Sequence, residues 1–181
     1  MNEYHLRSVE STDLPIIWKW RNAEHIRKHM YNDKVIPWEE HTAWFEKEQQ
    51  NTSSSFYIFI YQERPLGVVR FTNIDLENGT CDWGFYIGDQ RAPKGAGTVM
   101  GMLALDLIFK NDSIRKVCAE VLDFNIASLR YHQKLGFLQE GKLVEQLKRE
   151  DQLIDVIPMG LFKDVWNKRR KTLMRGQEGG N

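Results

Sequence analysis

Ala92-Pro93-Lys94-Gly95-Ala96-Gly97-Thr98 separates two runs of different character. Before it, Cys81 to Gly88 reads as a strand; after it, Thr98 to Phe109 is apolar, with no Pro and one Gly inside. Two glycines let a backbone turn tightly and approach a ligand closely. The first N–H groups of the helix that follows lack intrahelical partners, and the positive end of its dipole points outward. Such a turn is an anion site, most naturally for phosphate, and Lys94 adds a charge at its rim. Beyond the helix, Arg115 to Leu122 reads as another strand. The stretch is therefore the turn of a β-α-β unit, with parallel strands and a right-handed crossover.

Upstream, Tyr4 to Val9 predicts a strand, and Ser11-Thr12-Asp13 starts a helix carrying Leu14, Ile17, Trp18 and Arg21 at helical spacing. A short helix and a loop fill Asn22 to Pro37. Pro37-Trp38-Glu39-Glu40 opens a helix that runs to about Gln49. Strands follow over Ser55 to Gln62 and Leu66 to Ile74, with turns at Glu63-Arg64-Pro65 and Glu77-Asn78-Gly79. Downstream, Asn125 starts a helix that stops at Leu135-Gly136. Strands at Phe137 to Gln146 and Leu153 to Phe162 close the order, joined by a charged turn at Lys148 to Asp151. An antiparallel meander, one parallel crossover and a final hairpin give an α+β fold with a mixed sheet. Residues 1–163 are expected to form one domain, and 164–181 a basic, frayed tail ending in glycines.

Lys plus Arg and Asp plus Glu both total 25, so the formal charge is zero. That argues against a broad nucleic-acid surface. Cys81 and Cys118 fall in strands at no metal or redox spacing, so they read as reduced core residues. The N-terminus lacks a signal pattern, and no apolar run approaches the roughly eighteen residues of a membrane span. A cytoplasmic protein without a membrane or nucleic-acid partner is expected.

The glycine turn has several candidate owners. A dinucleotide site needs G-x-G-x-x-G at the start of a doubly wound sheet. Here Met100 holds the third position and a meander precedes, although Glu120 stands where a ribose-binding acid would. A Walker A loop needs Gly-Lys-Ser/Thr, which the chain lacks. An ordinary tight turn fits as well. What decides is Asn125-Ile126-Ala127-Ser128-Leu129-Arg130-Tyr131-His132-Gln133-Lys134-Leu135-Gly136-Phe137. It resembles the second signature of the GNAT N-acetyltransferases: Asn, two residues, Ala or Ser, then an ending of the Leu-Tyr-x-Lys-Leu-Gly-Phe type. The resemblance spans roughly Tyr4 to Phe162 and implies the GNAT fold, acetyl-coenzyme A as donor and no metal. It places the pyrophosphate on the N–H groups of Lys94, Gly95, Ala96, Gly97 and Thr98. The pantetheine arm would run between splayed strands 81–88 and 115–122, with Ile87 and Asn125 as further contacts. Ala92 stands where the family usually has Gln or Arg, which leaves the backbone cradle intact.

Acetyl transfer to an amine needs a neutral nucleophile, a stabilised oxyanion and a proton for the departing thiolate. By resemblance, His132 occupies the place of the family's acid, a Tyr, while Tyr131 falls on the usual Leu. A protonated His, with an unperturbed pKa of about 6.5, would be a good donor near neutrality; Tyr131 is the alternative acid. Glu120 and Asp82 are candidate bases, Glu120 lying on the strand face opposite Val117, Ala119 and Val121. Direct attack by an already neutral amine needs neither.

A narrower resemblance runs through Trp20-Arg21-Asn22, Ile26 to Met30, Glu40-His41, Trp44-Phe45, Tyr86-Ile87-Gly88 and Glu120-Val121-Leu122. These residues look like the nucleotide-sugar N-acetyltransferases of pseudaminic acid biosynthesis. That branch acetylates the 4-amino group of a UDP-linked 4-amino-4,6-dideoxy-N-acetyl-altrosamine, on the route to a sugar that decorates flagellin. It implies that Arg27, His41, Thr72 and Tyr86 line a nucleotide-sugar pocket. Large aromatics at helical spacing are usually core, so Trp20 and Trp44 read as core anchors rather than ligand contacts. The rival functions are a polyamine or protein N-terminal acetyltransferase of the same fold, and a non-catalytic coenzyme A-binding module. A homodimer is expected only by analogy with the fold.

Overall fold

The meander expected at the start of the chain forms as β1 (Tyr4–Ser8), β2 (Ser55–Tyr61), β3 (Arg64–Asp75) and β4 (Thr80–Ile87) in the computed structural model, which describes residues 3–178. β1 pairs antiparallel with β2, and β2 with β3. The β2–β3 hairpin turns on Gln62 and Glu63, both at positive φ (45° and 63°), rather than on Glu63-Arg64-Pro65. Two left-handed central residues match the twist of the flanking strands. Pro65 lies inside β3, opposite Ile60, beside the register shift at Phe59/Ile60. A bulge is where a strand tolerates a residue with no N–H to donate.

The chain groups into two compact units. The first takes the residues up to Ile74 together with Trp83–Met100. Besides β1 to β3 it contains α1 (Leu14–Asn22), α2 (Glu24–Arg27) and α3 (Trp38–Gln49). Pro15 lies in the first turn of α1, where its missing N–H costs nothing. Asp13 closes the entry, accepting from the Glu10 N–H at 2.8 Å and pairing with Arg7 at 2.7 Å. Ile17, Trp20 and Phe45 from the helices pack on Ile58, Ile60 and Val68 from the strands, which forms this unit's core.

The second unit takes Asp75–Asp82 and the chain from Gly101 onward. The opening residues of β4 pair in parallel with β5 (Lys116–Leu122), Cys81 facing Val117 and Asp82 facing Cys118. β4 then continues to Ile87 and β5 to Leu122. β5 is antiparallel to β8 (Gln152–Phe162), on which β6 (Leu138–Gln139) and β7 (Leu143–Arg149) also pair. The one strand expected over Phe137 to Gln146 is thus two short ones. α4 (Ala96–Ile108) contributes residues to both units, and α5 (Ile126–Leu135) belongs to the second. The sheet is mostly antiparallel with one parallel pair, the α+β arrangement expected. No helix among the described residues is long and apolar enough to cross a membrane.

The expected frayed tail is a helix, α6 (Lys163–Glu178). Trp166 is 1% exposed and its indole N–H donates to Asp106 Oδ1 at 3.0 Å. The Arg170 guanidinium reaches the same carboxylate at 2.6 Å. One face of the basic run therefore docks, while Lys168, Lys171 and Arg175 stay exposed. Residues 179–181 of the expected tail lie outside the described residues.

Candidate active site

The glycine turn is shaped by Asp89. Its carboxylate receives Arg64 Nε at 2.7 Å and the Arg91 N–H at 2.9 Å, and its carbonyl receives the Ala92 N–H at 3.0 Å. The N–H groups of Gly88 and Asp89 both donate to the Leu66 carbonyl, at 2.8 and 3.0 Å, which ties the turn to β3. Gly95 has φ +89°, a conformation that only glycine adopts freely, and a Cβ there would meet nothing within 4 Å. α4 starts at Ala96, two residues earlier than its apolar run suggested. Consequently Ala96 N–H donates to Pro93 O at 3.0 Å and Thr98 N–H to Gly95 O at 2.9 Å. Lys94 and Gly95 make no backbone bond through N–H among the described residues. The open space at Gly95 and these two donors at a helix start fit the phosphates of coenzyme A. Ile87 ends β4, partly buried.

In the second unit, the signature Asn125 to Phe137 builds α5 from its ends. Asn125 caps the helix, its Oδ1 accepting the Ser128 N–H at 3.2 Å. Gly136, at φ +104°, stops it: Gly136 N–H donates to Gln133 O at 3.0 Å and Phe137 N–H to His132 O at 3.0 Å. This is a Schellman stop, which is commonly sealed by an apolar contact across the same two positions. Here that contact is the His132 ring edge-on to Phe137, with centroids 4.9 Å apart. His132 is 3% exposed. Its Nδ1–H donates to the Ser128 carbonyl at 2.8 Å, and burial lowers its pKa to about 4. It is therefore neutral near pH 7, and the protonation that would make it a cationic acid is absent there.

Tyr131 places its hydroxyl against the backbone of Gly101, where a Cβ would come within 2.3 Å of the phenol oxygen. Burial raises its pKa, so it keeps its proton throughout the neutral range. Glu120 is exposed on β5, opposite Pro158, while Val117, Ala119 and Val121 are buried. The apolar surroundings that would favour a base are on the other side of the strand. Asp82 is half-buried in the parallel ladder.

The first unit holds a cavity of about 350 Å³ whose lining includes Arg21, His41, Trp44, Arg70, Gly84 and Tyr86. Of the four expected substrate residues, His41 and Tyr86 line it and Arg27 and Thr72 do not. Arg27 sits on the four-residue α2 and donates to the Asp33 carbonyl at 2.8 Å. Thr72 is half-buried on β3. Arg21 lines the cavity with Arg70, and Glu40 adds a carboxylate. Arg21 follows Ile17, another lining residue, by one helical turn, a spacing that puts both on one face of α1. Trp44, read as a core anchor, also faces the cavity.

Two polar atoms of this wall have no hydrogen-bond partner among the described residues. Arg21 Nη2 donates to the Asn32 carbonyl at 2.7 Å, but Nη1 is buried without a hydrogen bond, and so is His41 Nε2. Burial lowers the pKa of both groups, and the Arg21 charge lowers His41 further. His41 is then neutral near pH 7, whereas a guanidinium remains charged in any protein. Burial raises the Tyr86 hydroxyl and Arg21 opposes that rise. Buried groups of this kind are normally satisfied.

The chain matches the family model of the acetyltransferase (GNAT) domain over residues 4–138. It is 28% identical over 129 residues to the acetyltransferase PseH of Campylobacter jejuni, covering 71% of this chain and 79% of that one. It is 22% identical over 165 residues to the spermidine N(1)-acetyltransferase of Vibrio cholerae, covering 91% and 95%. Its fold superposes on the crystal structure of the Vibrio cholerae spermidine N-acetyltransferase in complex with coenzyme A and spermine. The TM-score is 0.85 at 20% identity, over 92% of this chain and 99% of that one. With the glycine turn, the capped signature helix and the matched domain all in one chain, the protein belongs to the GNAT acetyltransferases and is an acetyl-coenzyme A-dependent N-acetyltransferase.

Proposed function

We propose that the acceptor is the 4-amino group of a UDP-linked 4-amino-4,6-dideoxy-N-acetyl-altrosamine, and that the product feeds pseudaminic acid biosynthesis and flagellin glycosylation. The observation that carries this reading is the partnerless Nη1 of Arg21 on an aromatic-walled cavity. A buried guanidinium donor calls for an oxygen acceptor, and phosphate oxygens meet an Arg especially well. A polyamine brings only cationic donors, which Arg21 would repel; Arg70 is already paired with Glu48, and Glu40 also lines the cavity. Trp44 and Tyr86 offer flat surfaces to a base or sugar ring. The similarity to PseH points the same way. The similarity to spermidine acetyltransferases covers more of the chain and keeps a polyamine as the second reading.

Acetyl-coenzyme A supplies the activated acetyl thioester, and Lys94 and Gly95 would hold its phosphates. Tyr131 is our choice for the acid because it stays protonated, whereas His132 does not at neutral pH. Glu120, exposed, would act only through water, and an amine that enters neutral needs no base.

The test offers the enzyme acetyl-coenzyme A with the UDP-4-amino sugar, with spermidine and with an N-terminal peptide, and follows thiol release. Turnover of the sugar alone is expected. Turnover of spermidine without the sugar would overturn the proposal in favour of the second reading.

A further inference from the structure

One wall of the acceptor cavity is built around Arg70 and Gly84. Arg70 Nε and Nη2 both donate to Glu48, at 2.7 and 2.5 Å, forming a two-bond fork. Its guanidinium lies over Trp44, 5.1 Å from the ring centroid. Glu48, with a side chain 7% exposed, also receives the Ser54 hydroxyl. Burial alone would raise the Glu48 carboxyl, yet the bonds from Arg70 and Ser54 outweigh it and hold the group below its usual range. Fork and stack fix the guanidinium plane, and Nη1 is the corner that the fork leaves out.

Gly84 is an anomaly beside it. Gly67 and Gly88 are required by packing: a Cβ on the first would lie 2.3 Å from Tyr86 O, and on the second 2.1 Å from the Trp20 ring. A Cβ on Gly84 would meet nothing within 4 Å, and its backbone is not left-handed. It nonetheless sits inside β4, where glycine weakens a strand and β-branched residues are favoured. Neither its backbone nor packing among the described residues accounts for it. It lines the cavity with Arg70, so its missing side chain leaves bare strand on the cavity wall.

We propose that Gly84 and Arg70 are the specificity-determining pair of the acceptor site: bare β4 backbone at Gly84 admits the bulk of the acceptor, and Arg70 Nη1 takes one of its phosphate oxygens. Glu48 is a positioning residue that acts through Arg70. The inference rests on the nucleotide-sugar reading above and assigns a second phosphate-binding cation beside Arg21.

The closing experiment separates the two claims. Calorimetric titration with UDP is made on the wild type, Gly84→Val, Arg70→Lys and the double swap Glu48→Met/Arg70→Leu, which removes both charges without stranding either. Loss of a hydrogen bond to a charged group predicts about 10- to 100-fold weaker UDP binding in both Arg70 variants. Filling the gap predicts a KM for the acceptor raised about tenfold or more in Gly84→Val. The same variant should show an unchanged or higher Tm and an unchanged KM for acetyl-coenzyme A. Wild-type binding of UDP that all variants keep overturns the pair and leaves the proposed function standing. If UDP does not bind the wild type, the nucleotide reading falls and pyrophosphate decides. Pyrophosphate bound by the wild type and lost in the Arg70 variants upholds the phosphate role; no binding overturns it as well.

Discussion

Two buried histidines of this protein behave differently. His41 and His132 are 4% and 3% exposed, and burial lowers the pKa of both. His132 gives its Nδ1 proton to the Ser128 carbonyl and seals a helix stop against Phe137. His41 leaves Nε2 without a partner on a cavity that also holds a partnerless Arg21 nitrogen. Burial alone therefore does not mark a ligand-facing residue. What marks it is hydrogen-bonding capacity that the fold leaves unmet, because such a deficit costs free energy until something fills it.

That contrast can be broken most directly at α5. Tyr131→Phe is expected to lower kcat about 100-fold or more, the scale of a lost general acid, while His132→Phe keeps most of it. A steady-state comparison with the opposite outcome would make the satisfied histidine the acid. The next effect is on stability. Folded His132 stays neutral down to about pH 4, while the unfolded chain takes up the proton at about 6.5. Between those values the unfolded state binds more protons, so stability is full above about 6.5 and falls until about 4. The loss is on the order of 3 kcal/mol for this one group. Urea unfolding across that window should show the loss in the wild type and a flatter slope in His132→Phe; parallel slopes would refute a neutral buried His132.

A smaller effect sharpens the other half of the contrast. Arg21→Leu should raise the KM for the acceptor about 10- to 100-fold and leave that for acetyl-coenzyme A alone. Arg27→Ala should change neither, and a larger effect there would displace Arg21 from its role. Least of all, Asn125→Ala should cost about 1 kcal/mol of stability as a lost cap. If instead the KM for acetyl-coenzyme A rises at constant stability, Asn125 serves the donor rather than the helix.

Features with local causes were legible in the sequence. Asn125 and Gly136 start and stop α5 through bonds within a few residues, and the apolar run after the glycine turn does become α4. The C-terminal helix was not legible, because its reason is Asp106, 60 positions before Trp166. A basic run reads as solvated until its partner is known. The β2–β3 turn was expected one residue late, at Glu63-Arg64-Pro65, because Pro65 is the turn signal there while Gln62 and Glu63, which adopt the left-handed backbone, carry none. Arg21 and Arg27 are the same residue type on adjoining helices. Only the helix face shared with Ile17 decides which one reaches the cavity, and a resemblance by residue type does not carry that information.

Gly88 rests directly on the Trp20 indole, with no room for even one carbon between them. Trp20 immediately precedes Arg21, and Gly88 immediately precedes the aspartate that shapes the glycine turn. The two recognition tasks assigned to this unit therefore share a mechanical joint. Acceptor preference could not be transplanted by exchanging α1 alone: a grafted helix would have to bring a flat ring of the same thickness, or the turn for the donor would move with it.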